Sequence, residues 1–122
     1  MKLNKWFPTC GLAILSLLAI TTADAHAKDP ESQVIEIHAK KFAYDPAEIT
    51  LHKGETYKLH LTSDDAPHSL RINALNLNAK MQAGEFNDVL FTPDQVGDFK
   101  ADCGVYCGAG HKTMSMIVHV VQ

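Results

Sequence analysis

Basic residues are scarce: eleven Lys plus Arg face fourteen Asp plus Glu, for a formal net charge of -3. That balance excludes the basic stripe that nucleic-acid binding requires. Tryptophan occurs once, at Trp6, and no second hydrophobic span follows the one near the amino terminus, so the downstream chain is not expected to be an integral membrane protein. No internal repeats and no low-complexity tracts are visible. At 122 residues there is room for one domain, which excludes a multidomain enzyme. Cysteine is sparse and odd in number: three thiols, one of which needs an explanation.

The first 25 residues supply it. Lys2 and Lys5 precede an apolar run from Leu12 to Ile20, and Ala23-Asp24-Ala25 follows with small residues at the spacing signal peptidase accepts. This pattern predicts a secretory signal peptide over 1–25. A second acceptable site at Ala25-His26-Ala27 leaves the cut after Ala25 or after Ala27. The rival reading is an uncleaved membrane anchor, because no charge falls between Trp6 and Ala23. Its strongly apolar part, however, is far shorter than the roughly 20 residues of a spanning helix. Cys10 precedes the apolar run, where a lipoprotein attachment site would follow it, and leaves with the signal. Cleavage also removes Lys2, Lys5, Asp24 and Trp6, so the mature chain carries nine basic and thirteen acidic residues, a charge of -4, and two cysteines. An exported, periplasmic protein is expected.

Residues 26–32 are polar, contain Pro30 and read as a flexible leader. Strand signals then follow one another. Gln33–Ala39 and Thr56–Ser63 alternate apolar and polar residues, and Glu48–His52, Ser69–Asn73, Phe86–Thr92, Gly97–Asp102 and Met116–Val121 are further candidates. Turn signals at Asp45-Pro46, Lys53-Gly54, Asp65-Ala66-Pro67 and Pro93-Asp94 separate them. The one helix-like stretch, Ala74–Ala83, is rich in asparagine and has no cap, so it is expected to be a loop or a single turn. The prediction is one all-β domain over 33–122, a sandwich or barrel of about seven or eight strands. A domain this small gains from a crosslink or a metal.

The chemistry concentrates in Cys103-Gly-Val-Tyr-Cys107-Gly-Ala-Gly-His111-Lys-Thr-Met114, a glycine-rich segment between two strands. Two nearby thiols in an exported protein are open to a disulfide reading. A disulfide, however, requires neither the histidine four residues on nor the methionine three beyond it. Thiolate and thioether are soft donors and imidazole is borderline, a mixture that favours copper; methionine is a poor zinc ligand, so zinc is the weaker candidate. One Cys with His and Met would suit a mononuclear copper site. Two thiolates point beyond it, since two sulfurs can each bridge two metal ions.

The C-x3-C-x3-H-x2-M segment resembles the dinuclear CuA domain of cytochrome c oxidase subunit II and nitrous oxide reductase. That family also has an upstream histidine, typically followed by Ser, and Asp64-Asp65-Ala66-Pro67-His68-Ser69 stands in that position. The resemblance covers about 68–121 and implies a cupredoxin-like Greek-key fold. It also implies two copper ions bridged by Cys103 and Cys107. One would be completed by His68 and Met114, the other by His111 and the backbone carbonyl of Val105. The family usually has Glu at that last position. Its oxidase members carry membrane helices and an aromatic cluster with tryptophan, both missing from the mature chain here.

His38, His60 and His119 alternate with apolar neighbours and read as solvent-face residues, as do His52 beside its turn and His26 in the leader. Met81 and Met116 are expected to fill core gaps. Asp64 and Asp65 suggest an acidic docking rim for a basic redox protein. No Ser-His-Asp set, phosphate-cradling loop or acid–base carboxylate pair accompanies the motif, so the chain is not expected to be an enzyme by itself. The expected function is single-electron transfer with a redox partner such as a cytochrome c, an oxidase or a reductase. The alternatives are a copper storage or delivery protein and a peripheral subunit of a membrane oxidase.

Overall fold

The structure, a computed structural model, describes residues 33–122. The expected signal peptide over 1–25 and leader over 26–32 lie outside the described residues. Within 33–122 the chain forms β1 (Val34–Lys40), β2 (Ala43–Asp45), β3 (Glu48–His52), β4 (Tyr57–Ser63), β5 (His68–Ile72), β6 (Leu77–Met81), β7 (Phe86–Phe91), β8 (Gly97–Asp102) and β9 (Ser115–Val121). The strands pair in two sheets, β2-β1-β4-β7 and β3-β9-β8-β5-β6. The fold is all-β, with single 3-10 turns at Asn73–Leu75 and His111–Thr113.

The alternating segments behave as their pattern requires. On β1, Ile37 and Ala39 face inward; on β4, Tyr57, Leu59, Leu61 and Ser63 do so, with the intervening residues turned outward. These two strands pair in parallel, Ile37 opposite Leu61, while β3 and β9 form a second parallel pair, Leu51 opposite Val120. Parallel neighbours need a crossover, and the chain crosses from sheet to sheet repeatedly, as in a Greek-key sandwich. Met81 and Met116 are buried between the sheets, at 0% and 2% exposure, as core fillers.

Nine strands exceed the seven or eight expected from the sequence. The extra short strand, β2, spans three residues, too few for alternation to register. The other difference corrects the reading of Ala74–Ala83. Only Asn73–Leu75 forms a turn, and Leu77–Met81 is a strand with Leu77, Ala79 and Met81 buried and Asn78 and Lys80 exposed. The period-2 pattern was present, but the asparagines masked it. Asn76 serves the turn itself, which it closes with a φ of 53° in the left-handed region that asparagine tolerates well.

Sheet register gathers several strand ends at one end of the sandwich. His68 opens β5 opposite Met81. Asp102 closes β8 opposite both Arg71 and Ser115, so the 103–114 segment leaves and re-enters the sheet beside β5. Lys41 from the β1–β2 connection reaches the same end, where its backbone N–H meets Asp65.

Candidate metal centre

The 103–114 segment arches over this end and turns its sulfur-bearing side chains inward. His68, Cys103, Cys107 and Met114 are all buried, with His68 and Met114 at 1% exposure. One ligand atom each from His68, Cys103 and Cys107 lies within 4.8 Å of the others. Cys107 Sγ is 3.7 Å from His111 Nδ1 and 3.9 Å from Met114 Sδ. The Cys103 thiol points at the carbonyl oxygen of Val105, 3.0 Å away. Thus all six positions singled out in the sequence, His68, Cys103, Val105, Cys107, His111 and Met114, meet in one cluster. The two cysteines are free thiols.

Burial makes the thiolate form of Cys107 costly, and the adjacent Cys103 adds to this, so its pKa is pushed up to about 11. The opposite bias acts on Asp65. Its hydrogen bond with His68, and then that with the Lys41 N–H, hold its carboxyl below the usual carboxylate range. Asp65 Oδ1 lies 2.9 Å from His68 Nε2, and its Oδ2 accepts from the Lys41 N–H at 2.7 Å. Among the described residues, His68 Nδ1 is buried with no hydrogen-bond partner. A buried polar atom left unpaired costs on the order of 1–3 kcal/mol, so it calls for an explanation.

Residues outside the expected ligand set hold the cluster in shape. Ser69 Oγ accepts the Gly104 N–H at 2.6 Å, and the buried Tyr44 hydroxyl donates to the Ser69 carbonyl at 2.5 Å. Burial, followed by the charges of Cys103 and Asp102, raises the Tyr44 pKa well above its ordinary value. A side chain at Gly104 would meet Ser69 Oγ at 2.8 Å, and one at Gly110 would fall 2.2 Å from the Phe42 ring. The glycines let the loop lie flat against these groups. Phe42 and Tyr44 flank the start of β2, the strand too short to see. The close spacing of Gly104, Gly108 and Gly110 was the available signal that something packs on the loop.

The other four histidines among the described residues, His38, His52, His60 and His119, are elsewhere and partnered; His26 lies outside the described residues. His38 bonds Thr62, His60 bonds Asp88, His52 bonds the Gln122 carbonyl, and His119 sits between Asp98 and Glu48. Tyr106, 80% exposed, tilts against the His111 ring at a centroid distance of 5.7 Å. Among the described residues no helix is long and apolar enough to cross a membrane.

Comparison with known proteins agrees with this architecture. The chain is 29% identical over 85 residues to cytochrome c oxidase subunit 2 of Thermus thermophilus, an alignment covering 70% of this chain and 63% of that protein. It is 34% identical over 74 residues to the probable cytochrome c oxidase subunit 2 of Streptomyces avermitilis, covering 61% of this chain and 23% of that one. The chain therefore spans less than two thirds of the length of these relatives. Among solved structures, it is similar to the periplasmic domain of cytochrome oxidase subunit II of Bradyrhizobium japonicum. There the TM-score is 0.67 at 17% identity, covering 75% of this chain and 86% of that one. A family model described as a cupredoxin-like domain matches residues 11–117. With nine strands in two sheets and a thiol–imidazole–thioether cluster at one end, the chain belongs to the cupredoxin-like domain family.

Proposed function

We propose that this chain is a copper-binding electron-transfer protein with a dinuclear CuA-type centre, working in the periplasm. The observation that carries the reading is the convergence of two buried thiols with the buried His68 imidazole, whose Nδ1 has no hydrogen-bond partner among the described residues, beside a buried thioether. The donor set fits copper: sulfur and imidazole are the ligands it prefers, and His68 Nδ1 is a buried nitrogen that no other described residue bonds. Bound copper supplies a one-electron couple. Cys103 and Cys107 would hold both metal ions, with His68 and Met114 as further ligands of one and His111 and the Val105 carbonyl as further ligands of the other.

The rest of the chain's contribution is rigidity and dryness. Sheet ends fix both ligand loops, and the Ser69–Gly104 hydrogen bond ties one to the other. Met114 and His68 lie too deep for water to reach, while His111 is partly exposed beneath Tyr106. Electrons would therefore pass on the His111 side, to a redox protein such as a cytochrome c or an oxidase or reductase. Burial of the donors supports holding copper over releasing it, and so electron transfer over storage or delivery. The chain is read as an electron carrier and not an enzyme by itself, made as residues 33–122 behind a leader over 26–32 and a cleaved signal over 1–25.

Copper per chain and the EPR spectrum of copper-loaded protein test this. Two coppers with hyperfine splitting from two equivalent nuclei are expected. One EPR-silent, readily chelated Cu(I) per chain would overturn the assignment in favour of delivery. Co-purification with membranes would instead place the chain as a peripheral oxidase subunit.

A further inference from the structure

We propose that Asp65 is a positioning residue: it holds the proton of the His68 imidazole on Nε2, so that the Nδ1 lone pair faces the two thiols. The inference rests on the copper-site reading above and deepens it. A carboxylate only accepts hydrogen bonds, whereas a neutral imidazole has one N–H and one lone pair. With Asp65 Oδ1 2.9 Å from Nε2, that nitrogen is the donor, and Nδ1 is left as the acceptor. Nδ1 is also the nitrogen that is buried and unpartnered. The wrong tautomer would aim an N–H at the thiols and close the position to a metal.

Asp65 is itself held. Its second oxygen accepts the Lys41 backbone N–H at 2.7 Å, and the following residue, Phe42, lies against Gly108 and Gly110 of the opposite loop. One carboxylate therefore links His68 to the segment that covers the Cys103–Met114 arch. The sequence suggests a docking rim for Asp65; the residue is exposed, and its carboxylate also bonds the buried His68 and the Lys41 N–H. Fixing a ligand's second nitrogen is the means by which outer groups set tautomer, ring orientation and basicity.

Long-range proton–nitrogen NMR of the His68 ring in the metal-free protein tests the assignment without copper. The natural sequence is expected to show a single tautomer with the proton on Nε2. Asp65→Ala should lose that single state and bind copper roughly 10- to 100-fold more weakly. Asp65→Asn, whose amide oxygen still accepts, should keep the Nε2–H tautomer. A His68 proton on Nδ1 in the natural sequence overturns the inference, as does an Asp65→Ala protein with unchanged tautomer and copper affinity. If Asp65→Ala does not fold, the natural-sequence tautomer still decides. Failure of the natural protein to take up copper would sink the proposed function instead, and the tautomer result would stand apart from it.

Discussion

Two sets of histidines in this small sandwich have opposite surroundings. On the outer sheet faces, His60 meets Asp88, His38 meets Thr62, and His119 has a carboxylate at each ring nitrogen. At the loop end, His68 is buried with one nitrogen paired and the other left without a partner. The outer histidines sit half in water, where any mismatch is solvated and little is gained or lost. His68 has no such relief. What separates a candidate ligand from a surface histidine is therefore an uncompensated buried nitrogen beside other donors, and residue type alone does not reveal it.

The sharpest way to break this contrast is at the sulfur that touches most of the cluster. Cys107 lies beside Cys103, His111 and Met114, so Cys107→Ser should reduce copper from two per chain to at most one. An unchanged dinuclear EPR spectrum would refute the ligand assignment. Next in size is a paired comparison. His68→Ala should weaken copper binding by more than the roughly 100-fold upper end seen for outer-shell changes. His60→Gln should leave copper per chain as it was and change stability by no more than about 0.5 kcal/mol. Equal copper loss in both variants would erase the distinction between the two sets.

A third test addresses the loop without metal. Gly110→Ala places a methyl group 2.2 Å from the Phe42 ring, where the neighbour must move. Overpacking of this kind costs about 1–3 kcal/mol, read as a lower midpoint in denaturant with an unchanged slope. A variant as stable as the parent would mean that Phe42 does not press on the arch.

Legibility in the sequence followed the length scale of the signal. Strands such as Tyr57–Ser63 alternate over seven residues, and a period that long shows through any composition. Leu77–Met81 alternates just as strictly, but its asparagine-rich approach suggested a turn, and half of that suggestion was right. The donors His68, Cys103, Cys107, His111 and Met114 were visible because their chemistry and spacing are rare together. Their supports were not. Tyr44, Phe42 and the Lys41 N–H that holds Asp65 depend on which segments the sheets bring to one end, and no local pattern encodes that.

The smallest expected effect lies on the surface side. Hydrogen bonding to Asp98, reinforced by Glu48, raises the His119 pKa above its ordinary value of 6.5. A base whose folded pKa exceeds its unfolded one stabilises the fold while both states are protonated or only the folded one is. The contribution is full below the unfolded pKa and disappears as pH rises through the folded value. His119, Asp98 and Glu48 together join β9, β8 and β3, with Asp98 opposite His119 in register, so their loss loosens the sheet remote from the loop's thiols. Screening by solvent keeps the gain small. His119→Gln should therefore lower the melting temperature slightly at pH 5.5, leave it unchanged at pH 8.5, and alter copper content at neither. A mutant equally destabilised at both pH values would show that packing, and not the protonated imidazole, is what His119 contributes.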